Sequence, residues 1–336
     1  MNLQTFGDMA QTFALRRQGT TLKQQMDLLT RELSSGRAAD LSRHLAGNLL
    51  RFSQIEHDFV ILSSHRTAAR EAAVDTRTMQ TALGQVQTLS VSLAGNAITV
   101  GSAAGGVRVD TLAAEARSIL GSMIGALNSS VAGRTLFSGT QTDRVPLAPL
   151  GTLLDDLRLA VQGADSPDAV RAALDVFFDT PGGDFETTIY RGGTTDLSPY
   201  ELGAGESVAL TIRGDDPVLR GQMKQVALAA LSDDPGVLLS EADRRNLVFG
   251  AGTALLAQQP GMTALRANLG FAEARIEQSA SRISAEITSL QTARNDLVSA
   301  DAFETAGNLQ QVQFQLETLY TLTARAARLS LVNFLS

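Results

Sequence analysis

Apolar residues recur at every seventh position towards the C-terminus: Leu269, Ile276, Ile283, Leu290 and Leu297, with Ala280 and Ile287 between them at three- and four-residue spacing. This is the buried stripe of a long helix packed on other helices. Glu273 and Arg294 occupy the intermediate track, so the seam is imperfect, and a bundle of several long helices fits better than a two-stranded zipper. The register breaks at Asp301 and resumes with Leu309, Val312, Leu316, Leu319 and Ala326. The other end of the chain has the same character. Over residues 8–34, Leu15, Leu22 and Leu29 form one seven-residue series and Gly19, Met26 and Leu33 a second, and the turn signal SSGR (Ser34–Arg37) stops the helix. The chain thus begins and ends in amphipathic helices. They lie side by side if it doubles back.

Between the ends, residues 38–47 are ambiguous. From about Leu49 to Ile98 a three/four pattern is nearly continuous, through Phe52, Ile55, Phe59, Leu62, Ala69, Ala72, Met79, Leu83, Val86 and Leu93, with a slip near His65. Such a helix is about 75 Å long at 1.5 Å per residue, which predicts a rod. GSAAGG (Gly101–Gly106) ends it, and a helix over about 109–132 follows. The next region changes character. VPLAPLG reads as a linker, and Leu153–Gln162 and Pro167–Phe178 as short helices, the second with Ser166 as N-cap and proline in the first turn. Phe185–Arg191 (FETTIYR) and Ser207–Arg213 (SVALTIR) alternate with period two and predict strands, Leu197–Leu202 adds a third, and GAG (Gly203–Gly205) is a turn. Asp215-Asp216-Pro217 starts a helix to about Leu231, another spans roughly Ser240–Gln258, and Pro260-Gly261 separates it from the long C-terminal helix. The fold class is therefore mainly α: an elongated rod of long coiled-coil-like helices from both termini, with a small antiparallel β-containing α/β middle region.

Composition narrows the functional classes. Aromatics are 5% with no tryptophan, which favours thin helical layers over a large aromatic core. Cysteine is absent, which excludes disulfides, thiolate metal sites and cysteine nucleophiles. The net charge is −7 and only two residues are lysine, with no basic tract, so a nucleic-acid surface is not expected. No signal peptide is visible at the start, and no apolar run approaches membrane-spanning length.

The chemistry-bearing residues do not assemble into a catalytic pattern. His44, His57 and His65 form no HExxH or i,i+4 pair, and there is no GxSxG or Walker A loop. Gly250-Ala251-Gly252 is two-thirds of a dinucleotide fingerprint, with Leu255 where the third glycine belongs and no strand before it. Close packing of a glycine-bearing helix explains it better. Asp155-Asp156, Asp215-Asp216 and Asp233-Asp234 read as helix starts and solvated turns, because adjacent side chains diverge. Asn128-Ser129-Ser130 matches a glycosylation acceptor but reads as polar helix surface. No catalytic, cofactor-binding or metal residue is expected, and no cofactor.

RANLGFAEARIEQ (Arg266 to Gln278) resembles the RAxLG…R(I/L)E segment of the bacterial flagellin family. SADAFE (Ser299–Glu304) is similar to the acidic step that follows it there, and Leu309, Gln310, Gln313 and Leu316 to the Leu/Gln-rich helix beyond. ELSSGR matches the family's Ser-Gly-Lys/Arg turn, whereas ADLSRHLAGN lacks the proline usual after it. GRTLFSGTQTD (Gly133–Asp143), with Leu136 where an aromatic is usual, and the ending ARLSLVNFLS resemble the hook–filament junction branch of the family more than its filament branch. The resemblance covers about 1–143 and 185–336, and the ordered combination of motifs carries it.

The resemblance implies three divisions: a terminal coiled-coil inner layer (1–34 plus 305–336), a helical rod domain with a small sheet (35–143 plus 185–304), and a short helical insert (144–184). It implies a non-enzymatic flagellar subunit joining hook to filament, exported through the flagellar type III apparatus without a cleaved signal peptide and located outside the cell. The implied partners are hook-associated protein 1, flagellin, copies of itself in a ring and an export chaperone, with no nucleic acid and no membrane insertion. Leu15, Leu22, Met26, Leu29, Leu309, Val312, Leu316 and Leu319 are then the assembly interface. The alternatives are a flagellin filament subunit and, from a different class, a cytoplasmic helical signalling module.

Overall fold

A computed structural model describes the backbone of residues 3–102 and 108–335, with side chains described between residues 12 and 325. The side chains of Ala326 and of the closing ARLSLVNFLS, and most of the glycine-rich stop at Gly101–Gly106, lie outside the described residues. The elements run α1 (Leu3–Ser35), α2 (Leu41–His44), α3 (Leu49–Ser102), α4 (Val109–Leu127), β1 (Ser130–Val131), β2 (Arg134–Thr135), α5 (Leu150–Ala160) and α6 (Pro167–Asp179). After a π-helical turn (Phe185–Ile189) come β3 (Tyr200–Gly203), β4 (Glu206–Val208), α7 (Pro217–Leu231), α8 (Glu241–Ala257), α9 (Gln259–Val298) and α10 (Ala302–Leu335). Helix accounts for 74% of the chain, so the protein is mainly α. Contacts divide it into two units, residues 1–62 with 285–336, and residues 63–284.

The 63–284 unit has a deep core. Helix α7 packs on α4, α6 and α8. Its run from Val226 to Leu231 is buried on every side, as expected of a helix enclosed by others. Phe177, Phe178 and Phe185 stack at the base, with successive ring centroids 5.2 Å apart. The helices of 144–184 contribute Leu153, Leu157, Val170 and Leu174 to this core. Start signals act as anticipated: Ser166 accepts a hydrogen bond from the Ala169 amide and Asp216 from the Val218 amide, each ahead of a first-turn proline.

Three expectations need correction. FETTIYR is a π-helical turn, not a strand. Phe185 and Ile189, four apart, both point into the core, and the Tyr190 amide bonds back to the Phe185 carbonyl at 2.8 Å. A short apolar run does not reveal its period, and burial of both residues on one side decided it. The strand tendency survives only as one bridge between Tyr190 and Leu147. The two remaining strand segments shrink to Tyr200–Gly203 and Glu206–Val208, an antiparallel hairpin, while β1 and β2 form a second, unforeseen one. VPLAPLG is not a loose linker either. Leu147 and Ala148 are fully buried, and the side chain of Asn128, which caps α4, bonds both the Leu147 amide and carbonyl. Finally, Pro260-Gly261 does not separate helices but lies in the first turn of α9, with Gln258 alone ending α8.

Candidate assembly interface

In the unit of residues 1–62 and 285–336, α1 and α10 pack together. Their seam contains Leu22, Val312, Leu316 and Leu319, with Leu15, Met26 and Leu29 half-buried against them. Seven of the eight residues singled out from periodicity therefore meet in one cluster, within one chain. Leu309 is half-buried and outside it. The helices approach closely where α1 has no side chain: a Cβ on Gly19 would sit 3.2 Å from a Leu319 methyl group.

Local chemistry sets how the two helices turn. Gly36, at φ +69°, sends its amide back to the Glu32 carbonyl at 2.8 Å, the left-handed stop that glycine makes without strain. The chain leaving it pairs with the end of α9: the Ala38 amide reaches the Val298 carbonyl at 2.9 Å, and the Ala300 amide reaches the Gly36 carbonyl at 3.0 Å. Asp301 then caps α10, its Oδ1 accepting from the Phe303 and Glu304 amides at 2.8 and 3.0 Å. The register break at Asp301 is this cap. Arg294, off the α9 seam, pairs with Glu56 at 2.5 Å and lies over the Phe59 ring.

The outer surface of this helix pair was missed by the periodicity. Phe13 is 72% exposed, Phe303 91% and Phe314 70%, and Tyr320 and Leu322 are also exposed. A two-helix pair has one buried seam, and large aromatics elsewhere on it stay in water unless another chain covers them. The signal was available in the sequence: Phe303 and Phe314 are aromatic residues off the heptad track in an aromatic-poor chain.

The other flagged residues serve packing. Phe137 and Ser138 of the FSGT segment are fully buried, and Gly139 at φ +57° lies where a Cβ would be 2.4 Å from the Thr195 carbonyl oxygen. The segment is a hub: the Gly193 amide reaches the Ser138 carbonyl and the Gly214 amide the Phe137 carbonyl, both at 2.8 Å. Gly250 and Gly252 lie inside α8, and a Cβ on Gly252 would meet the Ala94 carbonyl oxygen and the Ala97 side chain of α3 at 2.9 Å each. Asp234 is buried. Burial raises its pKa, but the Gly236 amide and Arg158 outweigh that and hold it below the usual range. His44 and His57 are exposed, and His65 lies 3.3 Å from the Glu201 carbonyl oxygen. Among the described residues, no three of His, Cys, Asp and Glu converge as a metal site, and no helix is long and apolar enough to cross a membrane.

The hairpin of β3 and β4 bridges α3 and α9. The Tyr200 hydroxyl donates to Asp75 on α3, and burial, reinforced by that carboxylate, raises its pKa. Glu206 accepts from the Ser279 hydroxyl at 2.7 Å and pairs with Arg282 on α9.

Comparison with known proteins adds the following. Residues 253–335 match the family model of the bacterial flagellin C-terminal helical region. Among solved structures, a Vibrio parahaemolyticus chain assigned as a flagellar hook-associated protein is similar to this one, with a TM-score of 0.51 and 14% identity, over 74% of this chain and 96% of that chain. At that identity the likeness establishes the fold. Comparison with curated proteins gave no match.

Proposed function

We propose that this chain, a flagellin-family protein by its C-terminal helical region, is the adapter that joins the flagellar hook to the filament, the role of hook-associated protein 3. It is a structural component of the bacterial flagellum. Terminal segments 1–34 and 305–336 form its inner layer and the rest its outer part, with hook-associated protein 1 below, flagellin above and copies of itself around a ring. It carries out no catalysis and leaves the cell through the flagellar export apparatus, guided by a chaperone. The observation that carries this reading is the unfinished terminal helix pair. Its one seam is buried within the chain, while Phe13, Phe303 and Phe314 face outward. Burial drives association at about 25 cal/mol per Å² of apolar area, so this surface favours neighbours.

A strain lacking the gene tests the reading. Electron microscopy should show hooks without filaments, and flagellin should accumulate in the medium. Normal filaments in the absence of a second copy of the gene would refute it. The second reading, a filament subunit, is favoured by the match to the flagellin C-terminal region itself. Copy number separates the two: a few subunits per flagellum for an adapter, very many for a filament protein.

A further inference from the structure

One residue makes the break between α8 and α9. Gln258 keeps helical backbone angles (φ −87°, ψ −7°), and its amide still bonds the Ala254 carbonyl at 3.0 Å. Pro260, two residues on, has no N–H for the Leu256 carbonyl, so the helical ladder stops. Side-chain amides take over. Gln259 Nε2 donates to the Leu255 carbonyl at 3.0 Å, and Gln258 Oε1 accepts from Nε2 of Gln222 on α7 at 3.2 Å. Helix α7 comes this close because Gly221 has no side chain: a Cβ there would sit 3.3 Å from the Gln258 amide.

Three oxygens at this joint are buried and have no hydrogen-bond partner among the described residues: Gln222 Oε1, Gln259 Oε1 and Ser90 Oγ. Gln222 and Ser90 are fully buried. Ser90 reaches the joint from α3, which runs antiparallel to α8 and α9. Gln87 Nε2 lies 3.4 Å from the Thr263 hydroxyl, and a Cβ on Gly252 would be 2.9 Å from the Ala94 carbonyl oxygen. Ser90 falls between these two contacts, level with Gln258. The other fully buried hydroxyl of α3, on Thr76, bonds the Ala72 carbonyl of its own helix at 2.8 Å. Ser90 makes no such bond. A buried polar atom left unpaired is costly, and native chains keep few of them. Three at one joint call for a common partner.

We infer that the α8–α9 joint is a binding site for water inside the fold, bridging the Gln222 and Gln259 amides to the Ser90 hydroxyl. The chemistry of the donor set selects water over a cation. Turning over the Gln222 and Gln258 amides together preserves their mutual bond but leaves Nε2 of Gln222 unpaired instead of Oε1. A cation serves only the first arrangement. Water both donates and accepts, so it serves either, and the joint offers the two to four polar partners that a buried water needs. Water lodged where a proline interrupts the ladder is also a recognised way for a helix to bend. The site lies within the 63–284 unit and does not rest on the adapter reading.

Two measurements on the full chain test this. A crystal structure fine enough to show ordered water should place a molecule within about 3.2 Å of the free atom of the Gln222 amide, and one within that distance of Ser90 Oγ. No water there, or a Gln222 amide satisfied at both atoms by protein groups, would overturn the proposal. The second measurement is urea unfolding of Ser90→Ala beside Ser92→Ala. Ser92 is exposed on the same helix, so its replacement reports the gain in helix propensity alone. If water bonds Ser90 Oγ, alanine strips that water of a partner, and the midpoint of Ser90→Ala should fall below that of Ser92→Ala. If Oγ is unpaired, alanine relieves a buried polar atom and the midpoint rises instead. An equal or higher midpoint for Ser90→Ala would therefore count against water at the joint.

Discussion

The two units of this chain bury their side chains very differently. In residues 63–284, phenylalanines 137, 177, 178 and 185 are almost wholly removed from water, and α7 is enclosed on all sides. In residues 1–62 with 285–336, the seam of α1 and α10 rests on Leu22, Val312, Leu316 and Leu319, none buried beyond the 6–9% exposure typical of a single contact layer. Exposed aromatics occur in both units, Phe271 at 74% in the first and Phe303 and Phe314 at 91% and 70% in the second, but only the first has a fully buried aromatic cluster as well. A layered unit with several packed helices can pay the conformational entropy of folding from its own contacts, whereas one pair of helices is marginal in water. The first unit is a folded domain in its own right. The other buries one seam, and under the proposed function its remaining burial comes from neighbouring subunits.

The largest expected effect on the isolated protein is in the thick core. Phe178→Ala should destabilise the 63–284 unit by about 3–5 kcal/mol, read by urea unfolding, with the α1–α10 pair unaffected. A loss below about 1 kcal/mol would mean that the aromatic stack is not the keystone its burial implies. Leu316→Asp inverts this pattern. An unpaired charge in the seam is strongly unfavourable, so α1 and α10 should separate and become open to limited proteolysis, while the main unfolding transition stays within about 0.5 kcal/mol of the wild type. Export should persist and incorporation at the hook tip should be lost. A variant that melts lower throughout yet still supports filaments would contradict the division of labour.

Smaller still is the effect on the monomer of Phe303→Ser combined with Phe314→Ser. Both side chains are exposed, so unfolding should shift by no more than about 0.5 kcal/mol, while assembly into the flagellum weakens. Retained assembly would remove these residues from the interface. The finest comparison concerns pH. The Ser279 hydroxyl first and Arg282 second hold the Glu206 carboxyl below its ordinary pKa, against a smaller opposing effect of burial. A depressed pKa in the folded state gives stability that is present above the unfolded value, about 4.3, and is lost as pH falls through the folded value. Glu206→Gln should therefore flatten the acid limb of the 63–284 unit and leave neutral-pH helicity unchanged. An identical acid limb in the variant would show that the hairpin anchor does not respond to this carboxylate.

Much of the architecture was legible before any coordinates. The apolar stripe of α1 through Leu15, Leu22 and Leu29 meets Val312, Leu316 and Leu319 of α10, because an amphipathic stripe is a surface that needs a complementary one. Ser166 and Asp216 acted as caps because a short oxygen-bearing side chain ahead of a proline satisfies the free amides of a first turn wherever it occurs. What the sequence alone determined was thus local or periodic: where helices start, which face they bury, and that the chain has no thiol chemistry. The tertiary structure decided the rest. It turned Phe185–Ile189 into a π-helical turn, because two buried side chains four residues apart outweighed the β tendency of the threonines between them. It made Leu147 part of the core, because Asn128 from a distant turn supplied the hydrogen bonds that a buried linker needs. It also divided apolar residues that look alike in the sequence. Leu316 faces α1 and Phe314 faces water, since periodicity defines a face of a helix but not which faces find a partner within the same chain.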